Sequence, residues 1–396
     1  MEISVPKYVK NVLKKLSSHN YIACIVGGCV RDIILGRIPN DWDIATSALP
    51  QQVLELFPNS LTMGLKHGTV TVKVGKNLVE VTTFRTDGEY SDHRHPENVS
   101  FVGDLITDLS RRDFTINAMA ITYDGTIVDP FNGRKDIEGR LIRAVGEPKK
   151  RFEEDALRMF RAFRFSSRLD FEIENKTYDA IIENAQLATS LSAERIRDEL
   201  EKVLISDHVE YMFELISCGL LDKYLLKRMS RPDALFALSK TKKKTDIRWA
   251  VFCYILMCDD CIKSPVEFLK NLKLDGHTIN NCSNACDILK GAPPEDIKAW
   301  KHMLLKYGVP SSECAACCMD AIYFDGHELF LKEILKSGDC FSVKHLDING
   351  NDLASIGLKG KEIGQMLNFL LEYVIDFPQN NKKEILMSIA SSQIEE

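Results

Sequence analysis

Asp41-Trp42-Asp43 sets two carboxylates two residues apart, shortly after Gly27-Gly28-Cys29-Val30-Arg31-Asp32. In an extended strand, residues i and i+2 point to the same face. Asp41 and Asp43 are therefore expected side by side, with Trp42 on the other face. Two carboxylates held that close repel each other unless a cation lies between them. Oxygen-only ligands suit Mg²⁺, which takes one or two carboxylates and fills its shell with water and substrate phosphates. Gly27 and Gly28 let the backbone come close to a phosphate. A helix starting there would offer free N–H groups and its positive end, and Arg31 adds a cation. An Asp-x-Asp alone reads equally well as a turn residue followed by a solvated strand charge. With the upstream glycines and the Arg31-Asp32 pair, the stretch reads as a place where phosphate meets metal.

Two further stretches carry chemistry. "RRDFTINAM" puts Asp113 and Asn117 four residues apart, one turn of an expected helix. "EEDALRMFRAFRF" puts Asp155 and Arg158 three apart on a shared face, with Arg161 and Arg164 continuing along it. A carboxylate accepts from an exocyclic amine, and a guanidinium donates to ring acceptors. Cytosine and adenine offer an amine where uracil and guanine offer a carbonyl. An Asp/Arg pair would thus accept C and A and meet U and G with two acceptors face to face. The alternative is an exposed helix ion pair stabilising by about 0.3–0.5 kcal/mol. Leu157, Phe160 and Phe163 argue that one face of this helix is core and the other a charged cleft.

Strand and turn signals fill residues 22 to 146. "YIACIVGG" is a short apolar run ending at the glycine pair. "GTVTVKVGKNLVEVTTF" alternates over two strands with a hairpin near Gly75–Asn77, and Asp124-Gly125 marks another turn. "VRDIILG", "LPQQVLELF" and "DLSRRDFTINAMAI" read as helices. From about residue 150, apolar residues recur at i, i+3 and i+4 to the end. The fold class expected is α+β: a mixed-sheet head, then an elongated all-helical remainder. The expected divisions are a head over 1–148, a neck over 149–205, a body over 206–290 and a tail over 291–396. The chain of 396 residues suits more than one domain.

"GGCVRD…NDWDIATSALPQQV", "LKHGTVTV…VEVTTFR", "RRDFTINAMA", "EDALRMFRAFRF" and "SAERIRDELEK", in this order, resemble the class II nucleotidyltransferases of the polymerase-beta-like superfamily. These are the bacterial and eukaryotic CCA-adding enzymes and the bacterial poly(A) polymerases. The resemblance spans nearly the whole chain, and length and tail are more similar to the CCA-adding branch. It implies template-free addition or repair of the 3′-CCA of tRNA from CTP and ATP, with pyrophosphate leaving. Asp41 and Asp43 would hold two Mg²⁺ ions. A third acidic group is expected: Glu80, alternating in "LVEVTTF", is the candidate and Asp113 the rival. Gly27, Gly28, Arg31, Asp32, Arg112 and Asn117 would bind the nucleotide's sugar and phosphates. Asp155 and Arg158 would read its base, with Arg161 and Arg164 as further contacts. "EYSDHRHPEN", residues 89 to 98, maps to a loop that helps the switch from C to A, which favours full CCA addition. A poly(A) polymerase, a split CC- or A-adding enzyme, and a silent RNA-binding protein remain the alternatives.

The formal net charge is −6, which excludes a surface coated in nucleic-acid-binding charge but not a local basic groove. Lys227, Arg228, Arg231, Lys240, Lys242–Lys244 and Arg248 concentrate positive charge in the helical part and could meet tRNA phosphates along the acceptor and T arm. Arg195, Glu199 and Lys202 read as i, i+4 and i+3 pairs bracing a helix under the nucleotide site. No apolar run nears the ~20 residues that span a bilayer. The N-terminus reads as an amphipathic helix rather than a signal peptide, so a cytoplasmic protein, monomer or homodimer, is expected. Twelve cysteines include "CDDC" at Cys258/Cys261 and "CAAC" at Cys314/Cys317. Their spacing does not match a zinc site, and reduced, mostly buried thiols are the expectation.

Overall fold

Helix α1 (Lys7–Ser18) buries Val9, Val12, Leu13 and Leu16, a single i, i+3, i+4, i+7 stripe. The chain then enters β1 (Ala23–Val26), whose four residues are all buried, and turns at Gly27 into the short α2 (Gly28–Ile34). The structure is a computed structural model and describes residues 5–87, 99–323 and 326–395. The "EYSDHRHPEN" loop lies outside the described residues.

The central sheet continues with β2 (Asp43–Thr46), α3 (Pro50–Leu56), β3 (Thr69–Val74) and β4 (Asn77–Thr83). A small two-stranded ribbon, β5 (Arg85–Asp87) with β6 (Val99–Phe101), precedes α4 (Leu105–Ser110). The hairpin β7 (Ala120–Thr122) and β8 (Ile127–Val128) turns at Asp124-Gly125 and completes six strands in the order β3-β4-β2-β1-β7-β8. Only β2 and β4 run parallel within this sheet; the other neighbours are antiparallel. Along β4, Val79, Val81 and Thr83 are buried while Glu80 is exposed, the period-2 alternation of a half-covered strand.

Helix α5 (Gly133–Glu138) and β9 (Leu141–Ile142) lead to α6 (Pro148–Glu154) and α7 (Leu157–Leu169). β10 (Glu172–Ile173) pairs in parallel with β9, followed by α8 (Asn175–Asn184), α9 (Ala193–Leu204) and α10 (Tyr211–Ser217). Two expected helices are interrupted. "DLSRRDFTINAMAI" becomes α4, a turn, a 3₁₀ turn at Thr115–Asn117 and then β7. The polar hydrogen bonds of Asp108 and Asp113 hold this irregular backbone where a longer helix would otherwise run. "EEDALRMFRAFRF" breaks at Asp155, which is extended (φ −140°, ψ 102°). Its carboxylate instead accepts the Leu157 amide at 3.1 Å and starts a new helix.

The chain divides into two compact units: Met1–Val203 with Tyr211–Lys223, and Leu204–Glu210 with Tyr224–Glu396. The second contains α-helices and 3₁₀ turns, and no strand among the described residues. Its helices are α11 (Phe236–Lys240), α12 (Thr245–Cys258), α13 (Pro265–Asn271), α14 (Gly276–Lys290), α15 (Ile297–Tyr323), α16 (His327–Ser337), α17 (Gly350–Ser355), α18 (Lys361–Asp376) and α19 (Lys383–Glu395). Trp249 and Phe252 of α12 pack on Phe268 of α13 as one aromatic cluster. Leu353, Leu370, Leu371, Val374, Ile375, Leu386 and Ala390 form a core under α17, α18 and α19. All twelve thiols are free and eleven are buried, Cys258 being the exposed one. Among the described residues, no helix is long and apolar enough to cross a membrane.

Candidate functional site

Asp43 opens β2, and its register partner on the parallel strand β4 is Glu80. Parallel partners share a face, so both carboxylates stand on the open side of the sheet. Asp41 lies two residues before Asp43, outside the strand, and Trp42 between them is buried. The expectation that one strand carries both aspartates is therefore corrected: β2 begins only at Asp43. The three acids still feel one another. Burial, then Glu80, raise the Asp43 carboxyl to about 6; Arg112 pulls it down and Asp41 raises it further. Among the described residues no preformed cage of three or more ligating side chains is present. The donor set is a half-buried aspartate with like-charged neighbours, which suits a hard cation completed by water and phosphate.

Gly27 sits against this group. Its φ is +79°, a conformation that a side chain would strain. A Cβ there would lie 3.1 Å from Arg112 Nη1 and 3.7 Å from Asp43 Oδ2. The glycine thus lets the β1–α2 turn, Asp43 and Arg112 meet. The following helix α2 is only seven residues long, so side-chain cations rather than a helix dipole dominate the local field.

Gly27, Asp43 and Arg112 border a cavity of about 620 Å³ that lies wholly within the first unit, whereas Asp32, Asp41 and Glu80 are not among its lining residues. Its lining includes nine arginines against three aspartates, Asp43, Asp113 and Asp155. Such an excess of guanidinium matches a polyphosphate better than a neutral ligand. The arginines are held from behind. Arg31, 3% exposed, donates to Asp32 at 2.7 Å and to Asn117 Oδ1 at 2.8 Å. Arg111 and Arg112 both pair with the fully buried Asp108, at 2.8 and 3.0 Å. Arg161 Nε donates to Asp113 at 2.8 Å, and Arg164 pairs with Glu199 at 3.1 Å. Burial would raise the Asp113 carboxyl, but Arg161, the Phe114 amide and Asn117 outweigh it and hold it at about 2. Burial and Arg161 together lower Arg164 to about 10. Among the described residues, the buried Arg112 Nε and Arg195 Nη1 have no hydrogen-bond acceptor, donors that an anion could meet.

Asp155 and Arg158 both line the cavity, yet they do not pair with each other. Asp155 is bonded by Arg195 at 3.1 Å. Arg158 pairs with Glu154 at 2.6 Å and donates to the carbonyls of Arg151 and Arg111 at 3.0 and 3.1 Å. Arg161, Arg164 and Arg168 fall at i, i+3 and i+7 on α7, and all three border the cavity. In place of the expected Arg195–Glu199 brace, Arg195 turns to Asp155 and Glu199 takes Arg164 and Lys202.

The Poly A polymerase head domain family matches residues 23–143. An RNA- and SrmB-binding-site family of polymerase A matches 170–230, and a tRNA nucleotidyltransferase domain 2 family matches 240–390. A CCA-adding enzyme of Geobacillus sp. (strain WCH70) is 38% identical over 383 residues, 94% of this chain and 93% of that one. The chain belongs to the CCA-adding enzyme family. A CCA-adding enzyme of Enterococcus faecalis is 35% identical over 390 residues, covering 96% and 95% of the two chains. The Bacillus stearothermophilus CCA-adding enzyme, solved in complex with CTP, superposes with a TM-score of 0.84 at 33% identity, over 98% of this chain and 97% of that one. The Thermotoga maritima CCA-adding enzyme complexed with tRNA shares the fold, with a TM-score of 0.70 at 22% identity over 99% and 97%. This CCA-adding enzyme family member is thus a nucleotidyltransferase, and enzymes of the family use divalent metal ions.

The sequence reading assigned no cavity role to several residues that line it. Arg85, Arg111, Arg168, Arg195, His67 and Phe165 all line the cavity. Arg168 had a signal, the continuing i+4 step from Arg164; Arg85 opens the three-residue strand β5 and His67 ends a 3₁₀ turn, elements too short to show a period. The basic residues of the second unit are largely engaged. Arg248 is 1% exposed and donates to the carbonyls of Leu204, Thr241 and Lys242, which removes it from any RNA surface. Lys242 pairs with Glu328 and Lys243 with Asp207. Arg231 donates to the Cys258 carbonyl at 2.9 Å.

Proposed function

We propose that the chain builds or repairs the 3′-terminal CCA of tRNA from CTP and ATP without a nucleic-acid template, releasing pyrophosphate. The observation that carries this reading is one cavity whose lining brings Asp43 of the sheet edge together with an arginine-lined helix and with Asp155 and Arg158.

In this reading Gly27 and Gly28 bring the backbone against the triphosphate, and Arg31, Arg112, Arg161 and Arg164 neutralise and orient it. Asp32 and Asn117 fix Arg31 from behind, and Arg112 spans Gly27 and Asp43. Asp41, Asp43 and Glu80 would hold Mg²⁺, which supplies charge neutralisation at the reacting phosphate and lowers the pKa of the attacking hydroxyl. Glu80 suits the third acidic position because it is the exposed register partner of Asp43. Asp113 is committed to Arg161 and acts as a positioning residue. With the α-phosphorus so oriented, the 3′-hydroxyl attacks and pyrophosphate leaves toward the arginines. Asp155, oriented by Arg195, accepts the amine of C or A, while Arg158 donates to the ring acceptors. U and G would leave Asp155 facing a carbonyl.

We assign the head to residues 1–148, base recognition to 149–205, and the body and tRNA-binding tail to 206–290 and 291–396. A cytoplasmic setting fits twelve reduced thiols. The test is incubation of the full chain with tRNA lacking its terminal CCA, Mg²⁺, CTP and ATP. Sequenced products should end in CCA. Long A tails from ATP alone would assign a poly(A) polymerase, and no incorporation of either nucleotide would sink both readings.

A further inference from the structure

Phe165 lies in the cavity wall on α7 and is 5% exposed. Three guanidinium groups converge on its one ring. The Arg164 carbon is 4.4 Å from the ring centroid, that of Arg31 5.4 Å and that of Arg161 5.5 Å. All three fall within the ~6 Å at which a cation is attracted by the ring quadrupole. Phe114 meets the ring edge-on, at 5.7 Å between centroids and 80° between planes, and fixes its tilt.

The three cations come from two helices. Arg161 and Arg164 belong to α7, and Arg31 to α2, and each has a carboxylate on its outer side: Asp113, Glu199 and Asp32. Each guanidinium is therefore fixed between an acid and one shared aromatic. The like charges still oppose one another, and Arg161 and Arg31 both act to lower Arg164. An aliphatic side chain of equal volume would fill the space but offer the cations no attraction.

We propose that Phe165 is a positioning residue for the triphosphate: its ring holds Arg31, Arg161 and Arg164 clustered before the anion arrives. This rests on the nucleotidyltransferase reading of the cavity. Because Phe165 works on phosphate, its loss should weaken CTP and ATP alike and leave the choice between bases unchanged.

The test replaces Phe165 in the full chain by mono-, di- and trifluorinated phenylalanine, which keep the shape and drain the ring quadrupole. Binding of inorganic tripolyphosphate is measured by calorimetry, a readout that needs no turnover. Affinity should fall stepwise with each fluorine, reaching roughly tenfold at three. KM for CTP and for ATP should rise in parallel, with kcat changed less than about twofold. Phe165→Leu should match the trifluorinated ring, and Phe165→Tyr should restore binding. A flat fluorine series, or a Leu variant that binds tripolyphosphate as the parent does, overturns the proposal. If the parent chain binds tripolyphosphate but adds no nucleotide to tRNA, the functional reading fails while the role of the ring stands.

Discussion

Burial, Glu80 and Asp41 raise the Asp43 carboxyl to about 6, so at pH 8 the folded protein holds a charge that the unfolded chain accommodates more easily. Between the ordinary value of 3.8 and about 6 the folded state binds more protons than the unfolded one. Stability from this group therefore falls as pH rises through that window, and the penalty is complete above it. Asp43→Asn should accordingly stabilise the protein at pH 8 by roughly 1–3 kcal/mol while abolishing nucleotide addition. The gain should shrink toward zero near pH 4. Thermal melts at the two pH values check this; equal Tm for parent and variant at pH 8 would show that the carboxylates are not in conflict. Asp113 has the opposite sign. Held at about 2 with Arg161, it contributes stability that is present above about pH 4 and lost as pH falls toward 2.

At the scale of elements, the two candidates for the third acid differ in how they are mounted. Glu80 is an exposed strand residue beside Asp43, whereas Asp113 anchors the irregular turn between α4 and β7 to Arg161 of α7. Asp113→Ala leaves Arg161 without its acid and should cost about 2–3 kcal/mol, Arg161 being one-third exposed. Glu80→Gln should leave Tm within about 1 °C and lower kcat by at least ~100-fold. Melting curves and single-turnover rates of the two variants separate the roles; the reverse pattern would make Asp113 the third acid. The strands, the Gly75 hairpin and the α1 stripe were legible because alternation and the 3.6 period report burial directly. The breaks at Asp113 and Asp155 were not. Both replace helix hydrogen bonds by side-chain bonds to partners far along the chain, Asp113 to Arg161 and Asp155 to Arg195. Arg31 and Asp43 were singled out because their neighbours lie close in sequence, and both line the cavity. Arg85, Arg195 and Phe165 reach the cavity only through the tertiary fold.

For the whole molecule, a net charge of −6 coexists with a cavity carrying nine arginines. Charge balance there depends on what is bound, and removal of divalent ions by EDTA should stop nucleotide addition, with Mg²⁺ restoring it. Activity that survives exhaustive chelation would contradict a metal on Asp41 and Asp43. The acidic sheet edge and the arginine helix occupy one unit of the chain; in the proposed reading the sheet supplies transfer and α7 with its preceding turn supplies choice. The most direct test of that division is kcat/KM for CTP and for UTP on tRNA lacking CCA, in the parent chain and in Asp155→Asn. The account predicts that the CTP preference collapses by at least ~100-fold in the variant, with transfer still measurable. A CTP-to-UTP ratio unchanged by Asp155→Asn would contradict it.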